Sequence, residues 1–397
     1  MPVSEAIIRL AARGDGVTEA GRHVPMTAPG DVVWEDGSTE AGPHRAVPPC
    51  RHFPECGGCQ LQHVDDEAFG AFLQDRITSA LAAQGMAVPD ILPPHISPPV
   101  SRRRASLRAE SRGKQVLLGF NAEQSHRVID MRECFILRTE LFALVAPLRK
   151  LMGQLLGPRG SGGVRMTLAD QGADILLEKV SADSLESSEA LTDFAQTYRL
   201  ARLAIDDGYG AQTRWEPEPV TITLGGVAVP LPHGAFLQAT AEGEAALVAA
   251  VREAVGPARI IADLFAGLGT FALTMEGRIL AAEGARDAAL ALKSAANRAQ
   301  RQIFVDHRDL FRRPFQEAEL NRFEAVILDP PRAGAKEQVV PLARSSVPRI
   351  AFVSCNPATF ARDAKVLIDG GYRLDWVKPV GQFRWSTHVE LVGAFSR

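Results

Sequence analysis

Past His233 the chain alternates strand-length apolar runs with helix-length runs, and that rhythm leaves few folds open. Strand-like ARIIADLF, RILAAE, IFVDH, EAVILD and RIAFVSC follow one another, with helix-like Thr270–Met275 and Ala285–Gln300 among them. An Ala-rich helix over Thr240–Val255, stopped by Gly256, precedes them. Units of this length predict a parallel sheet with helices on both faces. In such a sheet ligands bind outside the carboxyl ends of the strands.

The first strand runs into a glycine turn, DLFAGLGT (Asp263–Thr270). Gly267 and Gly269 let backbone pass close under a ligand. A third glycine in the first helical turn is absent, which disfavours a pyrophosphate clamp. Glu283 ends the next strand, twenty residues after Asp263. An acid there can hold both hydroxyls of a ribose. A nucleoside without phosphates points to S-adenosylmethionine; a tight turn beside a surface Glu is the plainer alternative.

Three later blocks reach the same strand ends. DPPRAG puts Asp329 at the end of an apolar strand, and its two prolines stiffen the loop and remove two N–H donors. Methyltransferases acting on exocyclic amines carry a similar acid-Pro-Pro element followed by an aromatic residue; here Arg332 follows. SCNPATFARD puts Cys355 at the end of the neighbouring strand. An isolated cysteine is usually core filler, but the polar turn of Ser354, Asn356 and Pro357 favours a thiol at the sheet edge, a nucleophile candidate. HVE puts Glu390 in a late strand, facing either solvent or the crevice as a base.

The rest of the chain has a different texture. Short strands and turns over residues 1–45, with rough alternation in Val3–Ala11, predict a small β-barrel. Asp65–Gln84 carries Phe69, Phe72, Leu73, Ile77 and Leu81 at helical spacing. Four prolines exclude a regular helix in Ile91–Val100. Strand-like Val116–Phe120, Val164–Leu168, Ala173–Lys179, Val220–Leu224 and Val227–Pro230, with a helix-like stretch over Glu140–Leu156, predict a central α+β domain. The expected division is a barrel over 1–45, a central domain over 46–235 and an α/β domain over 236–397. The helix over 65–84 is a candidate to pack on the last of these.

Cys50, Cys56 and Cys59 follow C-x5-C-x2-C, and Cys134 lies downstream. Four thiolates suit a [4Fe–4S] cluster or zinc. Zinc sites usually show two short pairs, so a trio plus one distant cysteine favours iron–sulfur. His52 and His63 are expected to be ordinary polar residues. The cluster would tie the cysteine loop to the central domain.

Length and charge set bounds. A chain of 397 residues holds two or three domains, and no run of eighteen apolar residues exists to span a membrane. The charged N-terminus lacks a signal-peptide core, which predicts a cytoplasmic protein. Net charge is -3, so global charge does not announce a nucleic-acid binder. Locally, Arg102, Arg103, Arg104, Arg108, Arg112, Lys114, Arg127 and Arg132 crowd one stretch. They form either a phosphate-neutralising patch or a solvated strand face.

Taken together, these blocks resemble the RNA 5-methyluridine methyltransferase family, in its iron–sulfur branch, over nearly the whole chain. The fold implied is a C-terminal Rossmann-like class I methyltransferase domain of α/β type, a central α+β domain with the iron–sulfur loop, and an N-terminal OB/TRAM-like barrel that binds RNA. The resemblance implies that Cys355 is the nucleophile and Glu390 the base. It implies that Gln238 in GAFLQAT, Phe265, Glu283 and Asp329 bind S-adenosylmethionine. Phe236 would shape the pocket, and Asp309 is a weaker candidate for the adenine edge. It further implies that Cys50, Cys56, Cys59 and Cys134 hold a [4Fe–4S] cluster, and that the partner is RNA, ribosomal RNA ahead of tRNA. The chain departs from the family at Thr240 (often Asn), Ala266 (often Cys) and Arg384 (Pro in the family's F-P-x-T).

Three other classes fit less well. A cytosine-5 RNA methyltransferase carries a second Cys near its Asp-Pro motif, and DPPRAG has none. An iron–sulfur oxidoreductase needs a redox-partner site. An iron–sulfur RNA-binding protein without catalysis leaves Cys355 and Glu390 without a purpose. A tRNA uridine remains an alternative target.

Overall fold

The structure is a computed structural model that describes residues 4–113 and 115–397. Val3 of the first expected strand and Lys114 of the basic stretch lie outside the described residues. The chain opens with β1 (Ser4–Leu10), β2 (Gly16–Thr18), β3 (His23–Val24), β4 (Val32–Trp34) and β5 (Thr39–Glu40). They form an antiparallel sheet in the linear order β3-β2-β1-β4-β5. Buried Asp31 pins this sheet to the loop that follows. Its carboxylate accepts from Ala28 N at 2.7 Å and Gly42 N at 2.8 Å, and pairs with Arg45.

Helix α1 (Asp66–Ala83) begins where Asp65 caps it, accepting from Ala68 N at 2.8 Å. The five apolar residues at helical spacing are all buried. They join the same hydrophobic cluster as the last third of the chain. The proline-rich stretch then supplies β6 (Asp90–Ile91) and β7 (His95–Ile96), which pair in parallel with the strand Arg373–Gly381.

The central unit contains β8 (Arg104–Arg112), β9 (Gln115–Gly119), α2 (Thr139–Phe142), α3 (Val145–Leu155), β10 (Ser161–Ala169), β11 (Gly172–Glu178), α4 (Leu185–Thr197), β12 (Arg202–Asp206) and β13 (Gln212–Trp215). Its sheet runs β13-β12-β11-β10-β8-β9. The helix expected over Glu140–Leu156 is broken into two at Ala143–Leu144. Inside, Arg202 donates to both oxygens of Asp174 at 2.9 and 2.7 Å. A buried charge needs such a bidentate partner.

Among the described residues of the basic stretch, most arginines have a partner. Strand β8 alternates, with Ala105, Leu107 and Ala109 buried and the arginines on the other face. The guanidinium groups are taken up locally: Arg103 by Glu244, Arg112 by Glu110, Arg127 by Glu55 and Arg132 by Asp130. Arg108 donates to Ser161. Arg102 and Arg104 turn inward onto aromatic rings instead.

A hairpin of β14 (Thr221–Leu224) and β15 (Val227–Pro230) leads to α5 (Ala241–Val255). The α/β unit follows as β16 (Ile260–Leu264), β17 (Arg278–Glu283), α6 (Arg286–Arg298), β18 (Ile303–His307), α7 (Glu317–Leu320), β19 (Ala325–Leu328), α8 (Lys336–Arg344), β20 (Arg349–Ser354), α9 (Pro357–Asp369), β21 (Arg373–Gly381) and β22 (Glu390–Ser396). The sheet order is β18-β17-β16-β19-β20-β22-β21-β6. Hydrophobic clusters cover both faces. Thr270–Met275 is a run of turns, not the expected helix; buried Asp263 accepts from Ala272 N at 2.8 Å and holds the turns in place. No helix among the described residues is long and apolar enough to cross a membrane.

Two features of this sheet position a site. From β16 the chain works outward through β17 and β18, then returns to β19 on the other side. That reversal opens a crevice at the carboxyl ends of β16 and β19. Strand β22 runs antiparallel between β20 and β21, so its first residue lies at the same edge as the last residues of the parallel strands.

Helix α5 supports this edge. Thr240 caps it, its hydroxyl accepting from Gly243 N at 3.0 Å and meeting Ser97 Oγ at 2.8 Å. Where the resembled family often has Asn, Thr does the same capping chemistry. Thr240→Ala should cost about 1 kcal/mol, lowering the melting temperature by roughly 2–4 °C. Thr240→Asn should restore most of that loss; thermal unfolding followed by circular dichroism checks both.

Candidate functional site

The crevice is a cavity of about 980 Å³. One end is built by the glycine turn. Phe265 sits in the left-handed region at φ +67° although it is not a glycine, a conformation that costs free energy and marks functional turns. Gly267 has φ +56° with open space where a side chain would lie, so the turn faces the cavity with bare backbone. Gly269 has φ +94°, a region that favours glycine, and a Cβ there would stand 2.4 Å from the Leu292 side chain on α6.

Glu283, at the end of β17, ties two loops together. Its carboxylate accepts from Gly267 N at 2.8 Å and from Ala285 N at 2.6 Å. Each oxygen keeps a further lone pair for a ligand. Asp309 also lines this end. Its carboxylate accepts from Phe311 N at 3.0 Å, and the Phe311 ring lies 5.5 Å from that of Phe265. The sequence reading missed Phe311, because nothing in the pattern distinguishes it from an ordinary surface aromatic.

The floor is crowded with carboxyl groups. Burial, helped by the charge on Glu283, pushes Asp263 up to about 7. Asp329 is raised well above the usual carboxylate range, first by burial and then by Glu390, Asp263 and Glu283. Burial pushes Glu390 up to about 7, opposed by hydrogen bonding from Gln382 and by the Arg104 charge. Glu390 is 6% exposed and lines the cavity, which settles its orientation: it faces the crevice, not solvent.

Cys355 lies one residue past β20, just before Asn356, which caps α9 by accepting from Ala358 N at 3.1 Å. Asn356 and Thr359 both donate to the carbonyl of Arg332, locking the SCNP turn to the DPPR loop. Burial, with the charges of Glu390 and Asp329, pushes the Cys355 thiol up to about 11, against the opposing charge of Arg332. The register pairs Ser354 with Leu391. One step beyond, Cys355 and Glu390 stand on neighbouring strand ends, where directly opposed residues point to the same side. Both line the one cavity.

Gln238 is buried and does not stand alone. Gln382 donates to its Oε1 at 2.7 Å and accepts from Ala239 N at 2.7 Å. Gln382 therefore links Gln238 to Glu390, a residue the sequence reading missed because a glutamine at a strand end carries no signal of its own. Phe236 is 62% exposed at the cavity mouth, with the Arg104 guanidinium 4.6 Å from its ring centre.

Cys50, Cys56, Cys59 and Cys134 line a second, small cavity behind the first. All four are free thiols. Burial raises each of them, Cys59 to about 12. His52 is engaged by Arg132 N at 3.0 Å, His63 by Thr27 O at 3.2 Å, and Glu133 by Arg51 at 3.0 Å. Among the described residues no group of three or more His, Cys, Asp or Glu is arranged to hold a single metal ion.

Comparison with known proteins agrees with this geometry. The family model described as tRNA (Uracil-5-)-methyltransferase matches residues 232–396. A Zymomonas mobilis protein named as an uncharacterized RNA methyltransferase is 55% identical over 98% of this chain and 99% of that one. The 23S rRNA (uracil(1939)-C(5))-methyltransferase RlmD of Chromohalobacter salexigens is 32% identical over 89% of this chain and 77% of that one. The crystal structure of the Pyrococcus abyssi tRNA (uracil-54, C5)-methyltransferase in complex with S-adenosyl-L-homocysteine superposes with a TM-score of 0.74 at 21% identity, over 99% of this chain and 100% of that one. At that identity the likeness speaks for the fold. The extent of the match to whole relatives carries the rest: the chain belongs to the RNA uracil-5 methyltransferase family.

Proposed function

We propose that this enzyme methylates carbon 5 of a uridine in ribosomal RNA, using S-adenosylmethionine, with Cys355 as nucleophile and Glu390 as base. The observation that carries the reading is the meeting of that thiol and that carboxyl at neighbouring strand ends, in the cavity onto which the glycine turn opens. Ribosomal RNA stands ahead of tRNA because the 32% identical relative is named for 23S rRNA.

The cavity suits the methyl donor. Phe265 and Phe311 offer aromatic faces to a purine, and Glu283 offers carboxylate oxygens to a ribose. Asp329 and Gln238 line the same wall, and an ionised Asp329 would supply negative charge to a sulfonium. When bound, S-adenosylmethionine supplies an electrophilic methyl group.

Carbon 5 of uracil is a poor nucleophile. Cys355 Sγ adds to carbon 6, and the displaced electron pair moves onto the carbon-4 oxygen as an enolate. Carbon 5 then has the electron density to accept the methyl group. Glu390 takes the carbon-5 proton, and the carbon 6–sulfur bond breaks to return the Cys355 thiolate. The target base must leave its stack to reach this floor. Phe236 at the mouth gives it a face on which to stack.

We assign Cys50, Cys56, Cys59 and Cys134 to a [4Fe–4S] cluster with a structural role. Buried thiols of raised pKa are neutral alone, whereas a coordinating metal deprotonates them outright. Four cysteines lining one small cavity supply the donor set that a [4Fe–4S] cluster would need.

Cys355→Ala should abolish methylation while S-adenosylhomocysteine affinity changes less than twofold. Glu390→Gln should trap a protein–RNA adduct that survives denaturing electrophoresis, because the carbon-5 proton then has no acceptor; no adduct would exclude Glu390 as the base. Both reacting groups must lose a proton, and both values are raised, to about 11 for Cys355 and about 7 for Glu390. Activity is therefore lost as pH falls. A plot of log kcat/KM should climb with a slope of about two below pH 7 and about one above it, and a decline above pH 7 would contradict the assignment. Protein purified without oxygen should carry iron and inorganic sulfide, and Cys134→Ser should lose them in elemental and sulfide assays.

A further inference from the structure

The segment Phe383–His388 joins β21 to β22 and carries Phe383, Ser386 and His388 into the cavity. Its centre is Trp385, a bulky residue at φ +59°. A bulky side chain occupies that region only where its surroundings over-determine it. Here they do. The Trp385 carbonyl accepts from Gln60 N at 2.7 Å and Leu61 N at 2.9 Å, both immediately after Cys59. Its side chain, 8% exposed, forms a small apolar cluster with Cys59 and Ile136, against which Phe120 and Cys134 pack. Arg384 lies over the indole at 4.9 Å, donates to Ser97 O at 3.2 Å and pairs with Asp66.

The same contacts extend to the cavity. Gly57 and Gly58, between two of the cysteines, form part of its wall. Gly57 N donates to Asn121 O at 3.0 Å, and a Cβ on Gly58 would stand 3.2 Å from Phe120. The Arg102 guanidinium lies between Phe120 at 5.7 Å and Phe383 at 5.2 Å. A continuous packed path thus runs from the cysteine cavity through Trp385 and Phe120 to Phe383. Glu283, Gly267 and Asp309 lie on other elements, at the far end of the cavity.

We propose that Trp385 is a positioning residue that transmits the packing of the four-cysteine loop to the target-base end of the cavity, leaving the cofactor end untouched. The proposal rests on the reading that a uridine in RNA enters beside Phe383 and Cys355. Loosening the cysteine loop would then weaken RNA recognition selectively. The test measures affinity for an unmodified 23S rRNA transcript and for S-adenosylhomocysteine separately. Trp385→Ala should weaken RNA binding at least tenfold with S-adenosylhomocysteine binding within twofold, and Trp385→Phe should recover most of the RNA affinity. Cys134→Ser should give the same split, and the double variant should be no worse than the weaker single one. The tryptophan emission lost in Trp385→Phe should change when Cys134→Ser is introduced into the native background. A parallel fall in both affinities, unchanged RNA affinity, or emission indifferent to Cys134→Ser each overturns the proposal. Should wild-type protein methylate no uridine, the functional reading fails, while the emission coupling still reports on the path.

Discussion

The antiparallel seating of β22 between β20 and β21 is the constraint on which the site depends. In a purely parallel sheet the carboxyl edge collects only residues that end strands. Inserting one reversed strand brings a residue that begins a strand to that edge. Glu390 reaches Cys355 in this way although thirty-five positions separate them. Gly393, within β22, leaves room for Phe360, whose ring tip would lie 2.6 Å from a Cβ there. The Phe352, Phe360 and Phe395 rings pack in series behind the strand, with centroids 5.3 and 6.2 Å apart. Aromatic packing of this kind fixes the strand that carries the carboxyl group.

Electrostatics then divides the cavity. Asp263, Asp329 and Glu390 are held where water solvates them poorly, and each carboxyl is raised. Such placement destabilises the ionised forms without a ligand and favours cationic ligands or proton transfer. Beside Glu390, where the Arg104 charge reaches it, arginines turn away from solvent: Arg102 and Arg104 lie against Phe120, Phe383 and Phe236. A guanidinium on an aromatic face is a rigid platform as well as a charge. Arg102 and Arg104 are therefore wall-building material for the cavity, while Arg103, Arg127 and Arg132 pair with nearby carboxylates.

Much of the α/β unit was legible because burial on both faces of a sheet demands continuous apolar strands, and RIIADL, AVIL and RIAFVS show them plainly. Helix α1 was equally legible through its apolar stripe. Thr270–Met275 was not, since six residues too few for a stable helix are held by a side chain from Asp263, outside the segment. The role of Arg102–Arg104 was hidden for a related reason: charge is visible in a sequence, but its partners are not. Glu244 and Phe236, which take up two of these arginines, lie more than a hundred residues away.

The sequence by itself determined which chemical groups were present and which strands would end in them: the glycine turn, Glu283, Asp329, Cys355 and the four clustered thiols. These follow from local rules of backbone freedom, strand burial and ligand chemistry. Only the tertiary structure decided that Glu390 faces inward, that Gln382 links it to Gln238, and that Trp385 ties the cysteine loop to the cavity wall. Each of these depends on strand order and on contacts between distant segments. Direction within a sheet and the partner of a side chain are properties of the folded whole, which no local pattern encodes.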